Sequence, residues 1–435
     1  MHDAPVGRSW AETFLVYRQP EVIALAFLGF SGGLPFLLVF STLTAWLTEG
    51  DVSRSAIGFF AWIGITYSIK VLWAPVVDSL PVPWFTKSFG QRRSWMIAGQ
   101  LGIAIGLILM SLVGPENLFY LSLAAFLVAF SSATQDVSID AYRIEAADTE
   151  YQGAMSAAYV FGYRVALLVA GAGALYLADS LSWPHAYLIM AGLMAVGVIT
   201  VLLIVEPKRE RLSEPFGCSF QGLNQWIRSA IFGPFLEFFQ RNKKNALIIL
   251  CFIAVFRLSD IAMGIMANPF YLDMGYTKTE IANIAKIFGF FMSITGSFVC
   301  GALVIRWGMM RPLLIGAVFV ALTNLLFAGL SLMQPDLVYL AIVISADNLS
   351  GGFAATAFIA YLSSLTNRAY TATQYALFSS LMTLPGKFVS GFSGMVVDNF
   401  GYFEFFIISA LLGVPAIVLV FYVTSLKVSN RSGAN

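Results

Sequence analysis

The chain has 435 residues, 58% of them hydrophobic and 11% charged, with a net charge of +1. Soluble domains carry about 25% charged residues, so this composition excludes a soluble globular protein and points to a polytopic membrane protein. A nearly balanced net charge gives no sign of a nucleic-acid partner, and the charges inform through where they sit.

In chain order, apolar runs of spanning length, about 20 residues, fall at 21–47, 56–77, 94–113, 117–139, 153–178 and 185–206. Six more follow at 245–272, 279–304, 311–333, 337–364, 373–397 and 402–426. Backbone groups facing lipid must be satisfied inside the segment, so each run reads as a helix and the class is all-α with twelve transmembrane helices. The first run is too long for a signal-peptide core, and no cleavage is expected. Most of the 25 Lys and Arg fall on one side of this map, and only Arg54 and Lys278 fall opposite. That asymmetry places both termini and the 207–244 connection in the cytoplasm. The expected division is a cytoplasmic segment 1–20, a six-helix bundle 21–206, a connector 207–244, a second six-helix bundle 245–426 and a tail 427–435.

The first run, "FLGFSGGLPFLLVF", is interrupted by small residues and a proline, and its counterpart "FIAVFRLSDIAMG" opens the second half in the same manner. Parallel halves with interrupted helices meeting at mid-membrane are a common transporter build. Lys70, deep in the second run, is followed by "DSLPVPWFTKSFGQRRSW", which sets Asp78 at a helix end and Gly90, Arg92 and Arg93 before the third run. This resembles the loop signature of the major facilitator superfamily, in which Asp–Arg and helix-dipole contacts hold neighbouring helix ends together. The second-half copy, "GALVIRWGMMRP", keeps Arg306 and Arg311 but lacks the Asp.

The fourth run ends in "SSATQDVSIDAYR". Gln135 and Asp136 lie a turn deeper than Asp140, where a vestibule or gate would use them; Asp140 is expected to anchor the inner loops near Arg92 and Arg93. The connector stretch "NQWIRSAIFGPFLEFFQRNKK" mixes aromatic and basic residues and suits the membrane interface.

Ionisable groups inside a span cost on the order of 3 kcal/mol each, so each needs a reason. Lys70, Arg164, Arg257, Lys286 and Lys387 face only two deep carboxylates, Asp260 and Asp347. The surplus of cations predicts a cavity that prefers an anion. Arg164 and Arg257 are the first candidates to hold it, because a guanidinium fork matches a carboxylate. Lys387 follows Pro385 and Gly386, where a local break would aim it inward. Asp347, with no cation within a turn, is the first candidate for a proton site and Asp260 the second. The three cysteines and two histidines are scattered, so no metal set, disulfide framework or cofactor is expected. No nucleophile and base converge, which leaves no enzyme reading.

"GFSGGLP", "KVLWAPVVD", "SSATQDVSIDAYR", "GYRVALLVAGAGALYLAD", "FRLSD" and "ATQYAL", in this order, closely resemble the muropeptide permeases of the AmpG type, a branch of the major facilitator superfamily. The resemblance implies two six-helix halves around a central cavity. It also implies a multi-pass bacterial inner-membrane importer of N-acetylglucosaminyl-anhydro-N-acetylmuramyl peptides. The driving force would be the proton gradient, with no cofactor, and the protein would act as a monomer in the bilayer. Trp46, Trp62, Tyr67, Trp73 and Tyr163 are candidate platforms for sugar rings. Carriers of siderophores or acetyl-CoA share this architecture, as would a receptor without flux.

Overall fold

The computed structural model describes residues 10–52, 56, 60–207 and 227–432, and among these every regular element is a helix. We number the spans α1 to α12. The first half comprises α1 (Pro20–Leu38 and Ser41–Glu49), α2 (short pieces from Ala61–Gly64 to Ala74–Ser79), α3 (Gln91–Val113), α4 (Leu118–Ala146), α5 (Gln152–Leu168 continuing to Ser180) and α6 (Trp183–Leu193 and Ala195–Leu203). The second comprises α7 (Ala246–Phe256 and Leu258–Asp273), α8 (Lys278–Ile281 continuing to Trp307), α9 (Met310–Ser331), α10 (Leu337–Leu365), α11 (Thr371–Ser390 and Ser393–Phe400) and α12 (Tyr402–Ser432). Ten described segments are long and apolar enough to cross a membrane. The other two are α2, which is broken into single turns, and α11, which carries Thr371, Thr373, Gln374, Ser379, Ser380 and Lys387.

The same pairings recur in both halves: α1 on α5 and α7 on α11, α3 on α4 and α9 on α10, α3 on α6 and α9 on α12. This is the duplication that the interrupted helices suggest. With no hydrophobic force between helices in lipid, close backbone approach must hold them together. At Gly162 of α5 a Cβ would lie 1.7 Å from the Ala26 carbonyl oxygen of α1, so only glycine permits this contact.

Between halves, α5 packs on α8 and α10, and α11 packs on α2 and α4. Ala74, Val77, Val137, Ala141, Ala372 and Ala376 form a shared apolar seam there. Its small side chains let α2, α4 and α11 approach closely at the end that carries Arg92, Arg93 and the connector, the basic end.

Two interruptions fall where the sequence puts them. Pro35 lies inside α1, which breaks at Phe40 (φ −122°, ψ −109°). The α7 helix breaks at Arg257 (φ −99°, ψ 4°). The expected break at Pro385–Gly386 does not occur: the helix continues to Ser390 and the interruption follows at 391–392. Loss of one N–H donor at Pro385 is tolerated in a packed helix.

Residues 208–226 of the connector, Trp226 included, lie outside the described residues. The helix Gly233–Asn242 buries Phe238 against Phe378 of α11, centroids 5.2 Å apart, while Phe232 and Phe239 are exposed. Arg241 donates to the Leu365 carbonyl at 2.6 Å and Gln374 to Glu237 at 2.6 Å, fixing this amphipathic helix across the α10–α11 turn.

Candidate functional site

The α7 break presents Arg257 beside Asp260, one turn on, and the guanidinium hydrogen-bonds that carboxylate. Arg164 approaches from α5 of the other half, just before a π-helical turn at Val169–Gly173, an irregularity frequent at functional sites. The charges around Arg164 are Arg257, Asp260 and Asp347. Arg164 forms no ion pair among the described residues, whereas Arg257 does. Asp347 of α10 stands near Asp260, Arg164 and the Thr323 hydroxyl of α9. Four charges from α5, α7 and α10 thus converge between the halves, and the one unpaired cation is Arg164.

The other predicted cations behave differently. Lys70 is not part of a positive surplus: its ammonium pairs with Asp140 at 3.7 Å. The pairing was hidden in the sequence because Asp140 reads as a helix end. Lys387 is exposed and donates to Ser68 of α2 at 2.8 Å, bridging the two halves. The side chain of Lys286 lies outside the described residues.

The α4 stretch also needs correction. Gln135 does not line a vestibule. It is fully buried, accepting from Ser31 Oγ at 2.8 Å and donating to the Ser31 carbonyl at 3.0 Å, and so clamps α4 to α1. Asp136, one position on, is half-buried and faces Lys70 and Asp140. Asp140 does not reach Arg92 or Arg93: it pairs with Lys70 and with Arg143 at 3.2 Å. Helix α4 continues to Ala146, so Arg143 is buried inside the protein rather than in a loop. Its guanidinium lies over the ring of Tyr375 in α11, at 5.0 Å, and over Tyr159 in α5, at 5.7 Å.

The acid that meets Arg92, a place expected for Asp140, is Glu145. Arg92, completely buried, donates to Glu145 at 2.6 Å and to Asp78 at 2.7 Å. Asp78 in turn accepts from the Ala372 and Thr373 backbone N–H groups at 3.2 and 2.7 Å and from the Thr373 hydroxyl at 2.8 Å. A carboxylate of the first half therefore caps the positive N-terminal end of α11 in the second. Gly90, at φ +86°, starts α3 where a Cβ would lie 2.4 Å from Glu206, and Glu206 caps the Arg92 and Arg93 amides at 2.8 and 3.1 Å. Arg93 donates to the Val201 and Leu202 carbonyls at the end of α6. The second-half residues make no copy of this lock: Arg306 stacks on Trp10 at 4.5 Å and Arg311 is exposed. Glu145 and Glu206 escaped the sequence reading. The signal for Glu145 was an acid in the last turn of a span, level with a Gly-x-Arg-Arg sequence.

Among the aromatic candidates, Trp46 is packed rather than presented, stacked on Trp183 at 6.0 Å in the first-half core. Trp73 donates to the Thr134 hydroxyl at 3.1 Å. Tyr67 and Tyr163 both lie against Phe36, at 5.7 and 6.5 Å, and Trp62 is largely exposed.

Residues 22–389 match the profile of the Major Facilitator Superfamily. The chain is 35% identical over 415 residues to the putative transporter AmpG 4 of Rickettsia conorii, covering 94% of this chain and 98% of that one. It is 32% identical over 408 residues to the anhydromuropeptide permease of Escherichia coli, covering 93% of this chain and 80% of the relative. In three dimensions it is similar to the proton:xylose symporter XylE, with a TM-score of 0.66 over 95% of this chain and 96% of that one at 14% identity, a likeness of fold. The helical pairing, the lock at the basic end and these relationships agree, and the chain belongs to the major facilitator superfamily, as a multi-pass transporter of the AmpG permease type.

Proposed function

We propose that this transporter imports anionic cell-wall turnover products, N-acetylglucosaminyl-anhydro-N-acetylmuramyl peptides, across the bacterial inner membrane and that the proton gradient drives it. The observation that carries this reading is Arg164, an unpaired guanidinium beside the Arg257–Asp260 pair of the opposite half. Two guanidiniums facing each other repel, and an anion between them relieves that repulsion. A peptide carboxylate fits the planar fork. Lys387, exposed on the α2–α11 seam, and Lys286 would serve further carboxylates of the same ligand.

The charge count supplies the coupling. With Asp260 and Asp347 ionised, the cluster of Arg164, Arg257, Asp260 and Asp347 is neutral. A proton on Asp347 makes it +1 and raises its affinity for an anion, so proton and substrate favour each other's binding, and such coupling is reciprocal. Asp260 is the second candidate because its carboxylate is already engaged by the Arg257 guanidinium. In this reading the basic end faces the cytoplasm, the protein works as a monomer, and the structure described has that end closed. Counterflow of labelled anhydromuropeptide in proteoliposomes tests the substrate: exchange competed by unlabelled muropeptide and not by a siderophore or acetyl-CoA is expected, and the reverse pattern overturns the reading.

A further inference from the structure

The surroundings of Asp136 play no part in the central cluster. Asp136 Oδ1 is buried and has no hydrogen-bond partner among the described residues, and the buried Tyr67 Oη and Ser132 Oγ stand beside each other with no third described residue bonded to either. Ser132 and Asp136 are i, i+4 on one face of α4, and Tyr67 of α2 lies beside both. Gly32 of α1 leaves the room they occupy, since a Cβ there would stand 3.1 Å from Asp136 Oδ1 and 3.2 Å from Tyr159 Oη. The titratable groups facing Asp136 are Tyr67 and Lys70 from α2, Asp140 from α4, Tyr159 and Tyr163 from α5, and Tyr375 from α11; α1 brings Gly32 and no charge.

Buried polar groups without partners are rare, and each has a stability cost that structure alone does not return. A buried carboxylate is also costly unless it is paired. Lys70, the cation that faces it, contacts Asp140 instead. A neutral carboxyl resolves this conflict, because it can donate its own proton to the Ser132 or Tyr67 oxygen. An ionised one leaves Lys70, Arg143, Asp136 and Asp140 balanced in charge. The site is suited to both states.

We propose that Asp136, with Tyr67 and Ser132, is a second proton-binding site, lying in the N-terminal half, whose occupation weakens the closure of the basic end. This rests on the proton-driven reading above. The step is one proton added to Asp136 Oδ1, with no other bond made or broken. The local charge becomes +1, Lys70 is left to Asp140 alone, and it competes there with Arg143. Arg143 is the cation that reaches Tyr375 across the two halves, so loosening it loosens the contact of α4 with α11. Asp136 is thereby a positioning residue that acts through Lys70 and Arg143, separate from the cavity acids Asp260 and Asp347.

The test is the spacing of the basic end as a function of pH. Spin labels at Lys87→Cys and Lys244→Cys, on exposed positions of opposite halves, are read by pulsed dipolar spectroscopy in lipid nanodiscs, with the three native cysteines replaced by Ala. The separated population is expected to rise several-fold between about pH 8 and pH 5. Asp136→Asn, an isosteric change, should give a separated population that no longer varies with pH, while Asp347→Asn retains the variation. Unaltered pH dependence in Asp136→Asn, or none in the parent protein, overturns the proposal. Transport that ignores the proton gradient, in a protein whose spacing still responds through Asp136, would overturn the driving reading and leave this site standing.

Discussion

Under the proposed coupling, Arg164 and Asp347 act in opposite directions on one cluster, and their substitutions would separate binding from driving. Removing a charge-assisted hydrogen bond costs about 1.5–3 kcal/mol, so Arg164→Gln should weaken muropeptide binding roughly 10- to 100-fold. Isothermal titration of the purified protein checks this, and unchanged affinity in a folded variant contradicts it. Asp347→Asn imitates a permanently protonated acid. It should keep tight binding and counterflow while abolishing accumulation against a gradient, and its binding should no longer strengthen as pH falls. Binding that still strengthens on acidification in this variant moves the proton off Asp347, to Asp260 or to Asp136.

At the scale of elements, the contact between α2 and the start of α11 joins the halves. Asp78 serves both Arg92 and the α11 amides, and Glu145 is the other ligand of a fully buried guanidinium. Removing one partner of a buried ion pair costs about 3–5 kcal/mol, because the other charge is left uncompensated. Glu145→Ala should therefore lower the thermal midpoint of the detergent-solubilised protein well below that of Asp148→Ala, whose carboxylate is exposed. Equal midpoints would mean that Arg92 finds another partner. The sequence made Asp78, Gly90, Arg92 and Arg93 legible because their spacing is local. It left Glu145 obscure because the pairing spans 53 residues and depends on α4 running on to Ala146. The same extension buries Arg143, which lies beyond the end of the fourth apolar run at 139, and draws Asp140 away from the loops. Gln135 misled for a related reason: depth in a helix does not say which face it occupies, and its face meets Ser31 rather than the cavity.

For the molecule as a whole, composition and run length carried the fold. Twelve spans, the division into halves and the interruptions in α1 and α7 follow from apolar periodicity and from small residues that lipid would not otherwise tolerate. Charge bookkeeping over the whole chain was less faithful, since it counted Lys70 as surplus when a neighbour neutralises it, and such pairing is a property of three-dimensional packing. What survives is Arg164, which forms no ion pair among the described residues and lies between two halves that meet at the basic end. The central claim is proton-driven import, and uptake of radiolabelled N-acetylglucosaminyl-anhydro-N-acetylmuramyl tripeptide into proteoliposomes under an imposed pH gradient tests it most directly. Accumulation above equilibrium that collapses when a protonophore is added, and that Asp347→Asn abolishes, is the predicted result. Uptake that only equilibrates the solute whatever the gradient, or no uptake by a folded protein, would contradict it.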